Sequence, residues 1–151
     1  MEISEVRISL VDKTLYRNKN LLAFGTMVID GLFIVKELRV VSGADGYFIA
    51  MPSRNITDHC SKCSGRNQLR SRFCNFCGIQ QDPDRAPISP KSGKQMLFAD
   101  SAHPVNHAAR AVITEAVLAE YHAELERSKC GGYTPTYRVD DTLAEEADYA
   151  V

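Results

Sequence analysis

Four cysteines in two closely spaced pairs restrict the fold of this chain more than any other feature. Cys60 and Cys63 form the first pair and Cys74 and Cys77 the second, with two residues inside each pair and ten between the pairs. A Cys-x-x-Cys turn can aim both of its sulfurs inward, so four thiolates at this spacing can meet at one tetrahedral centre. The pattern predicts one structural zinc ion per chain, bound by Cys60, Cys63, Cys74 and Cys77.

Other uses of these cysteines stay open at this point: a disulfide or redox pair, another metal, or a catalytic zinc. A catalytic zinc is disfavoured because such sites keep an open position, whereas four thiolates fill the coordination sphere. His59 could replace Cys60 in principle, but we expect its side chain to point away from the cluster. The glycines after the pairs, Gly65 and Gly78, fit metal-binding knuckles because glycine can adopt positive φ.

Charge is distributed unevenly along the 151 residues, although the net charge is only −1. Residues 54–94 hold eight Lys or Arg and three Asp, a balance of +5, whereas residues 124–151 hold three basic and seven acidic side chains, a balance of −4. This asymmetry predicts DNA or RNA as a partner and an acidic tail that can compete for the basic surface. The predicted nucleic-acid contacts are Arg54, Lys62, Arg66, Arg70 and Arg72.

Two aromatic residues, Phe73 and Phe76, lie on either side of Cys74. They could stack on nucleic-acid bases. A small metal lobe also needs apolar packing of its own, and we favour that interpretation for both rings. For Arg54, the alternative to a nucleic-acid contact is an ordinary solvated arginine.

Several common classes of protein are disfavoured by the composition and the motifs. With 44% hydrophobic and 25% charged residues, the chain resembles a soluble globular protein, and no apolar run approaches the roughly 20 residues that span a bilayer. The N-terminal residues are polar and acidic, unlike a signal peptide, so we predict a cytoplasmic protein with reduced thiols. No nucleophile motif accompanies His103 or His107, so we predict no catalytic residues, no small-molecule substrate and no enzyme.

Hydrophobic alternation predicts four antiparallel strands in the first third of the chain. The dipeptide Asp30-Gly31 is a strong signal for a type I′ turn, and Pro52 ends the last strand because it cannot donate to a ladder. The predicted strands are Ile3–Leu10, Leu21–Ile29, 32–41 and 47–51.

Helical periodicity follows at residues 104–125, with Asn106 as the predicted cap and the glycines after Cys130 as the stop. Cys130 itself is interpreted as a free thiol. The face predicted to be buried holds Ala109, Val112, Ile113, Ala116, Val117 and Tyr121. The acidic residues Glu115, Glu120 and Glu124 are predicted to face outward.

Sequence blocks outside the cysteine region resemble the SpoVG family of small bacterial proteins linked to septation and sporulation. The match covers about residues 2–54 and 99–125. The resemblance implies a small antiparallel sheet with a packed helix, a dimer joined through strands, and DNA and RNA binding as a regulator. The blocks are Glu5-Val-Arg7-Ile8, Glu37-Leu-Arg39-Val-Val41, Gly46-Tyr-Phe-Ile-Ala-Met-Pro-Ser-Arg54, Ala102-His-Pro-Val-Asn106, Arg110 and Ala116-Val-Leu-Ala-Glu-Tyr-His122.

Together these patterns predict an α+β fold: a four-stranded antiparallel meander with a C-terminal helix packed on it, and a small inserted zinc-ribbon or knuckle lobe. Residues 1–54 and 95–126 are predicted to form the SpoVG-like domain, and 55–94 the zinc lobe with its proline-rich return loop. Residues 127–151 are predicted to be a disordered acidic tail. The resemblance implies that the family usually has a short loop where this chain has about 45 residues.

The predicted function is that of a homodimeric nucleic-acid-binding regulator of septation, sporulation or gene expression. The alternative is a zinc-stabilised protein-interaction module of the cell-division or transcription machinery.

Overall fold

The computed structural model describes residues 1–14 and 16–135, which divide into two compact units. The first unit is formed by Met1–Pro52 together with the described residues from Ala102 to 135, and the second by Ser53–Ser101. Each unit has its own sheets and its own buried side chains, so the two are described separately.

The first unit is built on a four-stranded antiparallel sheet whose strands follow chain order, β1-β2-β3-β4. This arrangement confirms the predicted meander. The turn after β2 has positive φ at Asp30 (52°) and Gly31 (66°), as a type I′ turn requires, and the Leu32 N–H donates to the Ile29 carbonyl at 2.9 Å. The strands are β1 (Ile3–Leu10), β2 (Leu21–Ile29), β3 (Phe33–Gly43) and β4 (Gly46–Ala50).

One helix, α1 (His107–Ser128), covers one face of this sheet and packs most extensively on β1. The predicted cap is confirmed, because the Asn106 side chain accepts a hydrogen bond from the Ala109 N–H at 2.8 Å. No helix in the described part of the chain is both long enough and apolar enough to cross a membrane. The core between helix and sheet consists of Ile8, Ala23, Met27, Leu38, Val40, Ile49, Met51, Ile113, Val117 and Tyr121.

Two residues of the helix differ from the prediction. Val112, predicted to be buried, is 42% exposed, because the helix contacts the sheet along a stripe narrower than the predicted face. Glu124, predicted to face outward, is 0% exposed, because it lies three residues after Tyr121 and seven after Val117 on that stripe. Its carboxylate accepts hydrogen bonds from Arg127 Nε at 2.7 Å and from the hydroxyl of Tyr133, which compensates for its burial.

The predicted tail, 127–151, is described only at its beginning. Arg127 and Ser128 belong to α1, and the helix ends just before the glycines that were predicted to stop it. Residues 136–151, which carry most of the predicted acidic charge, lie outside the described residues.

The second unit contains two small antiparallel pairs of strands. β5 (Ser53–Asn55) pairs with β8 (Phe98–Asp100), and β6 (Thr57–His59) pairs with β7 (Arg66–Gln68). The β5–β8 pair brings the two ends of the unit together, and the β6–β7 pair leads into the first cysteine turn. The return segment, 82–94, holds no strand and makes one isolated bridge, between Ile88 and Gln95, as its prolines predict.

Candidate metal centre

The two Cys-x-x-Cys turns of the second unit form a pair of equivalent knuckles, 60–65 and 74–79. In the first knuckle, the Cys60 N–H donates to the Gly65 carbonyl at 2.9 Å and the Ser64 N–H donates to the Cys60 carbonyl at 2.9 Å. The corresponding bonds of the second knuckle measure 2.8 and 3.1 Å. The same backbone conformation therefore occurs twice, and each copy presents two sulfurs to a common centre.

Each knuckle has one residue with positive φ, but only one of them is a glycine. Gly78 has a φ of 74°, as predicted, whereas Ser64 (φ 60°) takes the equivalent position in the first knuckle. The interpretation of Gly65 was therefore wrong. Gly65 provides space instead: a Cβ atom there would lie 2.4 Å from Cδ2 of Phe76.

The four cysteine sulfurs lie close together, with every ligand atom within 4.8 Å of the others. The Sγ atoms of Cys60 and Cys77 are 3.8 Å apart, and those of Cys63 and Cys74 are 3.6 Å apart. A tetrahedral site with metal–sulfur bonds of about 2.3 Å has edges of about 3.8 Å, so these separations fit a single ion. All four cysteines are free thiols, and the sulfur separations far exceed the roughly 2.05 Å of a disulfide. This group can hold a metal ion.

Backbone N–H groups point at the sulfurs from within the knuckles. The N–H of Lys62 donates to Cys60 Sγ, that of Gly65 to Cys63 Sγ and that of Phe76 to Cys74 Sγ, each at 3.4 Å. Such donors stabilise thiolates over thiols, so they favour the protonation state that a metal needs.

Two buried side-chain amides complete the surroundings of the sulfurs, and no local sequence pattern indicates either. Asn67, 1% exposed, donates through Nδ2 to Cys74 Sγ at 3.3 Å and to the Gly65 carbonyl at 3.0 Å, and its Oδ1 accepts from the Asn75 N–H at 2.8 Å. It thus connects the two knuckles. Gln81 donates through Nε2 to Cys60 Sγ at 3.6 Å. The buried cysteine of each pair therefore receives one amide donor.

Arg85 holds the return segment against the cysteine lobe. Its guanidinium donates to the carbonyls of Asp82 and Gln68 at 2.8 Å and of Ser71 at 2.9 Å, and its Nε lies 3.0 Å from Asp58 Oδ2. Arg85 is one of the eight basic residues counted in the segment 54–94, but these contacts give it a structural role.

The thiols differ in acidity because their hydrogen bonds differ. The Cys77 N–H, with help from Phe76 and Asn67, lowers the pKa of Cys74 to about 6. The backbone N–H groups of Cys63 and Lys62 also lower the pKa of Cys60. At Cys63 the Gly65 N–H lowers the pKa, but partial desolvation of the sulfur and the neighbouring cysteines outweigh it and raise the value to about 11.

His59 and Cys130 do not belong to the group of four. The ring of His59 is directed to the Ser64 carbonyl, with Nδ1 2.9 Å from that oxygen, so it does not replace Cys60. Cys130 is a free, exposed thiol just past the end of α1, as interpreted from the sequence.

The five predicted nucleic-acid residues all lie in the second unit, and all are exposed. None forms an ion pair within residues 1–14 and 16–135. Arg54 is on β5, Lys62 in the first knuckle and Arg66 on β7, while Arg70 and Arg72 lie between β7 and the second knuckle.

Phe73, just before the second knuckle, and Phe76 within it do not form a core. Phe73 is 58% exposed and Phe76 is 71% exposed, so the favoured interpretation of internal packing was wrong. The backbone around Cys74 is stabilised instead by hydrogen bonds and by the buried Asn67.

The sequence is similar to that of one known protein family. The SpoVG family model matches residues 1–123. Proteins named as septation protein SpoVG are similar over most of their length: that of Geobacillus thermodenitrificans strain NG80-2 is 32% identical over 122 residues, covering 81% of this chain and 84% of the relative. One from Listeria monocytogenes serotype 4b, named SpoVG 1, is 31% identical over 121 residues (80% and 78%), and one from Anaeromyxobacter strain K is 29% identical over 135 residues (89% of each).

Proposed function

The chain belongs to the SpoVG family, and on that premise we propose that it is a nucleic-acid-binding regulator of bacterial septation or sporulation whose second unit, Ser53–Ser101 (the inserted unit), is folded around one structural zinc ion. The names of its relatives support the process, since they are called septation proteins. The four cysteines of the inserted unit support the zinc ion, and its exposed cations support nucleic-acid binding.

Zinc is the metal that the donor set fits best. Four thiolates within 4.8 Å of one another match the usual structural zinc site, and they leave no open position for a substrate or water. Cys60, Cys63, Cys74 and Cys77 would hold the ion, and Asn67 and Gln81 would orient two of the sulfurs. The metal would supply folding energy to a unit that has few buried apolar side chains of its own.

One observation carries the nucleic-acid proposal: all five predicted contact residues are exposed, and none of them pairs with a carboxylate in the described part of the chain. Arg85 shows the contrast, because it is held by Asp58 and by three carbonyls. Unpaired, exposed Lys and Arg side chains are the groups that neutralise phosphates. The five are Arg54, Lys62, Arg66, Arg70 and Arg72.

Salt dependence tests this proposal. Each phosphate contact steepens the fall of log affinity with log salt by about 0.7 to 0.9, so a triple variant with Arg66→Ala, Arg70→Ala and Arg72→Ala should bind more weakly, with a slope lower by about two to three units. Binding of labelled DNA and RNA would be measured at several salt concentrations. Lys36→Ala, a single change in β3 of the first unit, is the control. Unchanged affinity and slope in the triple variant would favour the alternative, a zinc-stabilised protein-interaction module.

The remaining parts of the proposal concern assembly and setting. We propose a homodimer, since the sheet face opposite α1 carries several apolar side chains: Phe24, Val28, Ile34, Val41 and Phe48. We also propose a cytoplasmic, non-enzymatic protein, because reduced thiols suit a thiolate metal site and the chemistry of that site is structural.

A further inference from the structure

The segment 73–79, which is the second knuckle with Phe73 before it, exposes two aromatic rings that the proposed phosphate contacts do not use. We infer that Phe76, together with Phe73, is a stacking platform for unpaired bases, so that the inserted unit prefers single-stranded over double-stranded nucleic acid. This inference rests on the proposed nucleic-acid function and narrows its substrate class.

The ring of Phe76 is held in place although most of it is exposed. A Cβ atom on Gly65 would lie 2.4 Å from Cδ2 and 2.9 Å from Cγ of Phe76, so part of the ring rests directly on the glycine backbone. The N–H of Phe76 also donates to Cys74 Sγ, which ties the residue to the cysteine cluster. A base that stacks on this ring meets a surface that is already ordered, so little conformational entropy is lost on binding.

Three exposed apolar side chains lie in the segment 73–79. Phe73, Phe76 and Ile79 are all exposed, at every third position of one seven-residue segment. A single exposed hydrophobic residue is normal on a protein surface, but a cluster on a small, polar unit marks a contact surface.

Cations lie close in sequence to Phe73 and to Gly65, the residue that Phe76 contacts. Lys62 and Arg66 lie on either side of Gly65, the residue on which Phe76 rests, and Arg72 directly precedes Phe73. An apolar protein partner would match the rings but not these unpaired charges. Single-stranded nucleic acid matches both, because it offers phosphates together with free base faces. In a duplex the base faces are stacked on each other, so the rings would gain nothing.

The test compares four labelled probes on the full-length, metal-loaded protein by fluorescence anisotropy. The probes are a single-stranded DNA of about 15 nucleotides, RNA of the same sequence, the corresponding DNA duplex, and a strand of equal length in which the bases are replaced by abasic sites. Wild type should bind the single strands more tightly than the duplex and the abasic strand. The DNA and RNA probes distinguish the two sources of unpaired bases.

Phe76→Leu keeps an apolar side chain on Gly65 but removes the aromatic face. It should weaken binding to the single strands by about 5- to 150-fold, leave binding to the abasic strand unchanged and leave the salt slope unchanged. Phe76→Tyr should bind as wild type does. Phe98→Leu, which removes another exposed ring of the same unit, is the control. Metal content verifies folding, and if Phe76→Leu loses the metal, the comparison of wild type on normal and abasic strands still decides.

Two results would overturn the inference while leaving the proposed function intact: equal affinity of wild type for single strand, abasic strand and duplex, or equal affinity of Phe76→Leu and wild type for the single strand. Absence of binding to every probe would remove the proposed function as well. If Phe76→Leu instead lost only a protein partner, the platform would be a protein-docking surface.

Discussion

Replacing Asn67 by alanine should weaken metal binding more than any other change outside the four cysteines. The side chain makes three hydrogen bonds: to Cys74 Sγ and the Gly65 carbonyl through Nδ2, and from the Asn75 N–H through Oδ1. A hydrogen bond to an ionised acceptor contributes about 1.5–3 kcal/mol, which corresponds to about 10- to 150-fold in affinity. Groups that orient metal ligands typically show losses of about 10- to 100-fold. We therefore expect Asn67→Ala to lose about 10- to 100-fold in zinc affinity.

Competition between the protein and a chromophoric chelator measures this affinity directly. Gln68→Ala is the matched control, since Gln68 is the exposed neighbour on β7 and its side chain points away from the site. Asn67→Asp should also lose affinity, because a carboxylate cannot donate to a thiolate. An Asn67→Ala protein that holds zinc within about threefold of wild type would refute the idea that this amide positions Cys74.

The other expectations concern the metal, its protons and the assembly. Metal analysis should find one zinc per chain, and Cys74→Ser should lower it and unfold the inserted unit while the four-stranded sheet survives in circular dichroism; a freshly reduced protein without metal would contradict this. Zinc affinity should rise at least tenfold per pH unit from about pH 7 to 9, because the pKa of Cys63, near 11, keeps this thiol protonated until the metal displaces the proton. Below about pH 6 the affinity should fall more steeply with decreasing pH, because Cys74, with a pKa of about 6, is then protonated as well. A pH-independent affinity measured by titration calorimetry would contradict that linkage. Light scattering should report twice 16.8 kDa, and a clean monomer at micromolar concentration would rule out the proposed dimer.

Local patterns were sufficient to predict most of the first unit. Strand alternation, the Asp30-Gly31 turn and the Asn106 cap are each determined by a few neighbouring residues, and each is confirmed. Glu124 shows the limit. The helical period places this residue on the buried stripe, but its charge led to the prediction that it faces solvent. The hydrogen bonds from Arg127 and Tyr133, which compensate for its burial, could not be predicted from the sequence.

The candidate metal centre was also only partly predictable from the sequence. The four ligands are set by a local spacing, so the sequence was enough to find them. Asn67 reaches a sulfur seven residues away and Gln81 one that is twenty-one residues away, and nothing in either neighbourhood indicates those contacts. The position of the Phe76 ring was likewise hidden, because it depends on the absence of a side chain at Gly65 in the opposite knuckle.

The pairing of β5 with β8 has a consequence for how such a chain could arise. Ser53 and Asp100 face each other as the outermost pair of these strands, so the chain enters and leaves the second unit at adjacent positions. A segment whose ends meet can be acquired or deleted as a whole, since the backbone on either side needs only a short connection to close the gap. An ancestral protein could therefore have gained this unit in a single insertion, and a laboratory deletion of Ser53 to Ser101 would remove it again as a whole.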